Sequence, residues 1–200
     1  AVVGDFFLDK YLVIEKALME VSLETDLEAY QVVGKRCGPG AAGTVTNNLS
    51  ALDVGQIRAV GCIGDDGEGY ELRQGLGRSR VNMAHLLSHP DWFTPTYTKP
   101  MLRDETGREA ELNRLDIKNR RPTPREIEDA ILGELELALP QVQAVIILDQ
   151  IEQRETLLWD KQRDDLVLRI ETRLGGMVLV ERTVAPTPGD AQPTAATGVN

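Results

Sequence analysis

Three stretches of this chain pair polar, chemistry-bearing side chains with small residues at the ends of apolar runs. Val2-Val3-Gly4-Asp5 is a strand-like run that stops on a carboxylate, with Asp9 four residues further on. Cys37-Gly38-Pro39-Gly40-Ala41-Ala42-Gly43-Thr44 reads as a small-residue turn opening a helix on which Val45, Leu49 and Leu52 recur at helical spacing. Gly61-Cys62-Ile63-Gly64-Asp65-Asp66-Gly67-Glu68-Gly69 is a second strand end, rich in glycine and acid. Small residues at a helix start let a ligand reach backbone amides, and a strand-end carboxylate adds an acceptor beside them. The three together describe an α/β ligand site.

The glycines also spell a literal G-x-G-x-x-G, Gly38 to Gly43, with Asp65 about 20 residues after it, as a dinucleotide site requires. Against that alternative, Lys35 and Arg36 would fall in the buried strand ahead of the glycines, where unpaired charge is costly. The better buried strand, Ala1 to Gly4, leads into Asp5 and not into glycines.

The elements that must position these residues alternate strand and helix, the pattern of a parallel sheet with helices on its faces. Ala1 to Gly4, Ile57 to Ile63, Ala144 to Leu148 and Met177 to Val180 are short apolar runs suited to buried central strands. Ile127, Ile131, Leu135 and Leu139 mark a longer helix; Thr123 is expected to cap it, with Pro124 in its first turn and Glu126 completing a capping box. Residues 10–36 and 92–118 carry mixed polar and apolar patterns typical of half-exposed strands, and are expected to form a small separate sheet. Asp65 and Asp66 suit a turn or a helix cap.

Composition narrows the class. Two hundred residues, 42% of them hydrophobic, bury one substantial core. A net charge of -10 argues against nucleic acid as a partner, since that affinity rests on lysine and arginine neutralising phosphates. A phosphorylated ligand therefore needs a local positive patch. Two cysteines without CxxC spacing do not make a disulfide scaffold, and there is neither an apolar run of membrane-spanning length nor a signal-peptide profile, so a cytoplasmic, membrane-free protein is expected. Two histidines, His85 and His89, give no three-histidine metal site, and no metal ligands are assigned.

In order and spacing these segments resemble the ribokinase (PfkB) family of carbohydrate kinases. Val2-Val3-Gly4-Asp5-Phe6-Phe7-Leu8-Asp9 is similar to that family's opening strand, Pro39-Gly40-Ala41-Ala42 with Asn48-Leu49 to its P-G-G-A…N-L helix start, and Gly61 to Gly69 to its G-x-[IV]-G-x-D-x-x-G strand end. Ala41 stands where the family has a second glycine, and Thr44 where it has an asparagine. Thr94-Pro95-Thr96-Tyr97-Thr98-Lys99 and Arg114-Leu115-Asp116 resemble segments of the heptose-phosphate kinase branch, the kinase domain of ADP-heptose synthases.

The resemblance implies a three-layer α/β fold with a mostly parallel central sheet and a small β-sheet lid formed by residues 10–36 and 92–118. It implies transfer of a phosphoryl group from ATP, with Mg²⁺, to a hydroxyl of a sugar or sugar phosphate, and a homodimer formed through the lid. Asp5, Asp9, Gly40, Ala41, Thr44, Lys99 and Arg114 take substrate-binding positions. Asp190 takes that of the catalytic base, with Gly189 in the anion hole, and Thr172 and Gly176 lie in the nucleotide segment. A sugar- or nucleotide-binding relative without turnover is the alternative, and a Rossmann oxidoreductase a more distant one.

The carboxyl-terminal third departs most from the family. Pro186-Thr187-Pro188-Gly189-Asp190-Ala191 keeps Gly-Asp-Ala, but Pro188 has no amide hydrogen to give an anion hole. The stretch from Asp149 to Asp190 is under half the length such kinases use there, so a single kinase domain incomplete after about residue 150 is expected, as is the loss of a few residues ahead of Ala1.

Overall fold

The computed structural model describes residues 1–150 and 178–182. In chain order the elements are β1 (Val2–Gly4), β2 (Phe6–Glu15), β3 (Glu20–Val21), β4 (Glu28–Ala29), β5 (Val32–Ala41), α1 (Ala42–Ala51), β6 (Arg58–Gly64) and α2 (Gly67–Arg78). There follow β7 (Asn82–His89), β8 (Thr96–Arg103), β9 (Glu109–Glu111), β10 (Leu115–Ile117), α3 (Arg125–Ala138), β11 (Val145–Asp149) and β12 (Val178–Arg182).

Five strands in the order β12-β11-β1-β6-β7 form a sheet in which every pairing is parallel. Alternate residues of a strand face opposite sides, and the buried strands use both. Val3, Val60, Val145 and Ile147 pack with Ile127, Ile131, Leu135 and Ala138 of α3. On the other side Val2, Ala59, Ile63 and Leu148 pack with Ala42 of α1, with Leu72 and Leu76 of α2, and with Phe6 and Leu8 of β2. Helix, sheet and helix make a three-layer α/β fold.

The second sheet has the order β10-β8-β2-β5, with β9 on β8; β2 and β8 run parallel and the other pairings are antiparallel. Its strands come from the two segments with mixed patterns, but its limits differ from the expected ones. β2 begins at Phe6 and β5 continues to Ala41, while Trp92 and Thr94 are buried beside the parallel sheet. The glycine-rich segment Gly38 to Ala41 is therefore the end of a strand, and the helix begins only at Ala42. This removes the dinucleotide alternative, because Gly38 and Gly40 lie within an antiparallel strand of the second sheet instead of following a parallel core strand.

Two further differences have local causes. The N-cap position of α3 falls on Pro124, which has no side-chain acceptor; its carbonyl receives the amides of Ile127 and Glu128, so the helix starts one residue later than the capping box would place it. β7 was not expected at all, since Asn82-Met83-Ala84-His85-Leu86-Leu87-Ser88-His89 mixes polar with apolar residues. Among the described residues it pairs with β6 alone, and it keeps several half-exposed positions, so it needs no continuous apolar run.

The second sheet is fastened to α2 on its core-facing side. The Pro39 ring lies between Gly43 of α1 and Gly75 of α2, and a Cβ at Gly75 would come within 2.8 Å of it. Beside it Glu71 accepts from Lys35 at 2.5 Å and Lys10 at 3.0 Å, and Lys10 also reaches Glu68 at 2.9 Å. The Cys37 thiol donates to Glu71 at 3.4 Å. Burial pushes the Glu71 carboxyl up, but the bonds from Lys35, Lys10 and Cys37 outweigh it and hold it down at about 2.

A carboxyl held below its unfolded-state value stabilises the fold above that value and loses the contribution as pH falls toward its folded one. With screening of the exposed Lys35, Glu71→Gln should cost about 1–2 kcal/mol at pH 6. The stability gap between wild type and variant, measured by urea denaturation, should narrow by more than half between pH 6 and pH 3; a gap that stays constant would mean Glu71 acts by shape alone.

Candidate functional site

Asp5 is the single residue between β1 of the parallel sheet and β2 of the second sheet. Gly4 turns the chain there with φ +138, and a Cβ on it would run into the Leu148 carbonyl. The Asp5 carbonyl accepts the Ala42 amide at 2.9 Å, and its carboxylate Oδ2 accepts the Gln150 amide at 3.0 Å. Asp5 thus ties the carboxyl end of β1 to the chain leaving β11. Carboxyl ends of parallel strands are where open α/β sheets hold ligands.

Asp9 lies further along β2, opposite Gly38 on β5 and Tyr97 on β8. Its Oδ1 is 3.1 Å from Lys99 Nζ, and its Oδ2 leans over Gly40, where a Cβ would lie only 2.6 Å away. Only a glycine leaves room for that carboxylate. Lys99 also donates to the Tyr11 hydroxyl at 3.2 Å, and its ammonium lies 4.8 Å from the ring centroid of that tyrosine. Burial lowers the Lys99 pKa, but the bonds to Tyr11 and Asp9 outweigh it, and the net direction is upward.

Arg114 is exposed, donates to both oxygens of Asp116 at 2.6 and 2.8 Å, and stacks 4.4 Å over Tyr97, which meets Phe7 edge-on at 5.4 Å. The Asp116 bonds raise the Arg114 pKa in spite of some desolvation. Thr44 is exposed in the first turn of α1, where its hydroxyl donates to the Pro39 carbonyl at 3.4 Å.

The structure therefore gathers Asp9, Gly40 and Lys99 at one place, with Arg114 over the neighbouring Tyr97, and sets Asp5 at the junction of the sheets. Thr44 contacts the backbone of β5. Thr172, Gly176, Gly189 and Asp190 lie outside the described residues. Asp66 is the N-cap of α2, accepting the Gly69 amide at 2.7 Å and both the amide and hydroxyl of Thr94 at 2.8 and 2.7 Å, so its work is structural. His85 pairs with Glu134 of α3 at 2.9 Å, away from this face. Among the described residues no group of three or more His, Cys, Asp or Glu could hold a metal ion.

Sequence reasoning passed over Tyr11. The signal was the alternation itself, since Asp9 and Tyr11 are two apart on a strand and must share a face.

No family model matches the chain. The bifunctional protein HldE of Trichlorobacter lovleyi is 27% identical over 151 residues, which is 76% of this chain and 29% of that protein. The bifunctional protein HldE of Vibrio vulnificus is 30% identical over 148 residues, 74% of this chain and again 29% of the relative. The chain thus matches less than a third of the length of these relatives. Among solved structures, Arabidopsis thaliana ribokinase complexed with ribose and ATP superposes with a TM-score of 0.51 at 15% identity, covering 92% of this chain and 53% of that one. Phosphofructokinase-2 of Escherichia coli in complex with fructose-6-phosphate gives 0.54 at 12% identity, covering 90% and 53%. The chain has the ribokinase-like (PfkB) fold.

Within that fold one departure has a visible conformational consequence. Ala41, in the place of the family's second glycine, adopts φ +52 and ψ -120, where an L side chain is strained. Ala41→Gly should raise stability by about 1 kcal/mol once the greater freedom of glycine in the unfolded chain is set against the relieved strain. Thermal or urea unfolding of the two proteins measures this, and a destabilised variant would show that the alanine sits there at no cost.

Proposed function

We propose that the complete protein is a carbohydrate kinase of the heptose-phosphate kinase branch, transferring the γ-phosphoryl group of ATP to a hydroxyl of a sugar or sugar phosphate. The observation that carries the proposal is the placement of Asp9 over the bare backbone at Gly40, beside the Asp5 junction, in a ribokinase-like fold. A carboxylate is a strong acceptor for hydroxyl donors, and the lack of a side chain at Gly40 is what lets Asp9 lie there. Asp5, Asp9, Gly40, Ala41 and Thr44 form the sugar side of the site. Arg114 suits an anionic group on the substrate, because it is exposed and shares the carboxylate of Asp116 with Lys118.

The second sheet acts as a lid that excludes water from the transfer. Asp190 takes the proton from the attacking hydroxyl, Gly189 holds the transferring group, and Thr172 and Gly176 contact the nucleotide. Mg²⁺ would arrive with the phosphates of ATP, whose charge it neutralises.

A homodimer joined through the lid belongs to the same reading. Val21, Leu23, Leu27, Tyr30, Val32 and Val33, at the end of the second sheet remote from Asp5, are all exposed, and Leu23 wholly so. A cytoplasmic location is likewise proposed; no helix among the described residues is long and apolar enough to cross a membrane.

The decisive assay follows ADP release from MgATP over a panel of sugars and sugar phosphates, alongside calorimetric sugar binding. Asp190→Asn should slow turnover by about 100- to 10,000-fold with sugar affinity nearly unchanged, as expected for a general base. Asp5→Asn should weaken sugar binding first. If wild type binds a sugar yet releases no ADP with any member of the panel, the protein is a binder and not a kinase.

A further inference from the structure

Lys99 is a lysine on a substrate-facing strand, and its simplest role would be to meet a substrate phosphate. Its surroundings argue for something else. An ammonium has three donors, and in this structure Asp9 Oδ1 takes one at 3.1 Å and the Tyr11 hydroxyl another at 3.2 Å. The ring of Tyr11 lies under the same ammonium at 4.8 Å, and that ring is flanked in turn by Arg36, which Glu109 holds at 2.7 Å. Lys99 keeps only 20% of its side-chain exposure. It is built into a cage and is not presented to an incoming group.

The two oxygens of Asp9 are divided by this arrangement. Oδ1 belongs to Lys99, whereas Oδ2 has no hydrogen-bond partner among the described residues and projects over Gly40. A carboxylate alone on a strand rotates about two side-chain bonds. Pinning one oxygen fixes where the other points.

We propose that Lys99 is a positioning residue: with Tyr11 behind it, it holds Asp9 so that Oδ2 is presented to a sugar hydroxyl above Gly40, and it does not itself bind a substrate phosphate. The inference rests on the reading of this face as the sugar site. It assigns Tyr11 a role, and it leaves the anionic part of a substrate to the Arg114 corner.

The test uses the full-length protein and calorimetric binding of hexoses and heptoses, each paired with its terminal monophosphate. Lys99→Met should weaken a neutral sugar and its phosphate by the same factor, about 10- to 100-fold, and the double variant Lys99→Met/Asp9→Asn should bind no more weakly than Asp9→Asn alone. Lys99→Arg, which keeps a cation near Asp9, should recover much of the loss, and Tyr11→Phe should show a smaller loss of the same uniform kind. Unfolding curves on each variant confirm that the sheet is intact. Loss of affinity confined to phosphorylated sugars, or losses that multiply in the double variant, would overturn the assignment while leaving the sugar site standing. If wild type binds none of these sugars, the site reading fails and the inference with it.

Discussion

The hydrogen bond from the Ala42 amide to the Asp5 carbonyl, 2.9 Å long, joins the first two places where the chain crosses between its sheets. Outward, the chain leaves the parallel sheet at Asp5; homeward, it leaves the second sheet at Ala41 and enters α1. Phe6 is paired with Ala41, so β2 and β5 start in register at the crossing and stay so to Val13. Because side chains alternate along a strand, fixing that first pair fixes every later one: Phe7 with Gly40, Asp9 with Gly38, Tyr11 with Arg36. A slip of one residue would send Asp9 to the core side and Lys10 to the site.

The same register divides the work of neighbouring residues. Phe6 and Leu8 are buried in the core with α2, and Lys10, next on that side, reaches the acidic residues of the same helix. Asp9 and Tyr11, on the opposite side, form the cage with Lys99. One short strand thus anchors the sheet through its even-numbered residues and equips it chemically through the odd-numbered ones. Among the described residues β5 pairs only with β2, and Lys35 and Arg36 on it are both exposed, which keeps its other edge unattractive to a further strand. Those charges told against a dinucleotide fold in the sequence for a related reason: they cannot be buried.

What was legible in the sequence follows from how much each feature depends on local pattern. Val2, Val3, Val60, Ile146 and Ile147 belong to runs apolar on both faces, and these reveal parallel strands without help. Val45, Leu49 and Leu52 or Ile127, Ile131 and Leu135 recur at helical spacing, and the helices follow. β7 escaped because a strand with partly exposed positions needs no such run. The end of β5 was misread because Gly38, Pro39 and Gly40 are turn-formers by propensity; only pairing with Phe7 and Leu8, far away in sequence, makes them a strand. The engagement of Lys99 was out of reach for the same reason, since its partners stand 90 and 88 residues away.

Charge pairing on the second sheet bears on how an acidic protein could take the anionic co-substrate of the proposed reaction. The cations on the described part of the site face do not stand alone: Arg36 is matched by Glu109, Arg103 by Glu15, Lys99 by Asp9, and Arg114 with Lys118 by Asp116. Three of these five are in one-to-one pairs and the other two share a carboxylate, so the face carries little net field to draw in polyanions from a distance. Only Arg114 and Lys118 divide a single carboxylate between them. Under the proposed function, selectivity for a small anion over a long one would come from the Arg114 and Lys118 corner set beside Tyr97, with the net charge of -10 across the chain working against extended polyphosphate chains.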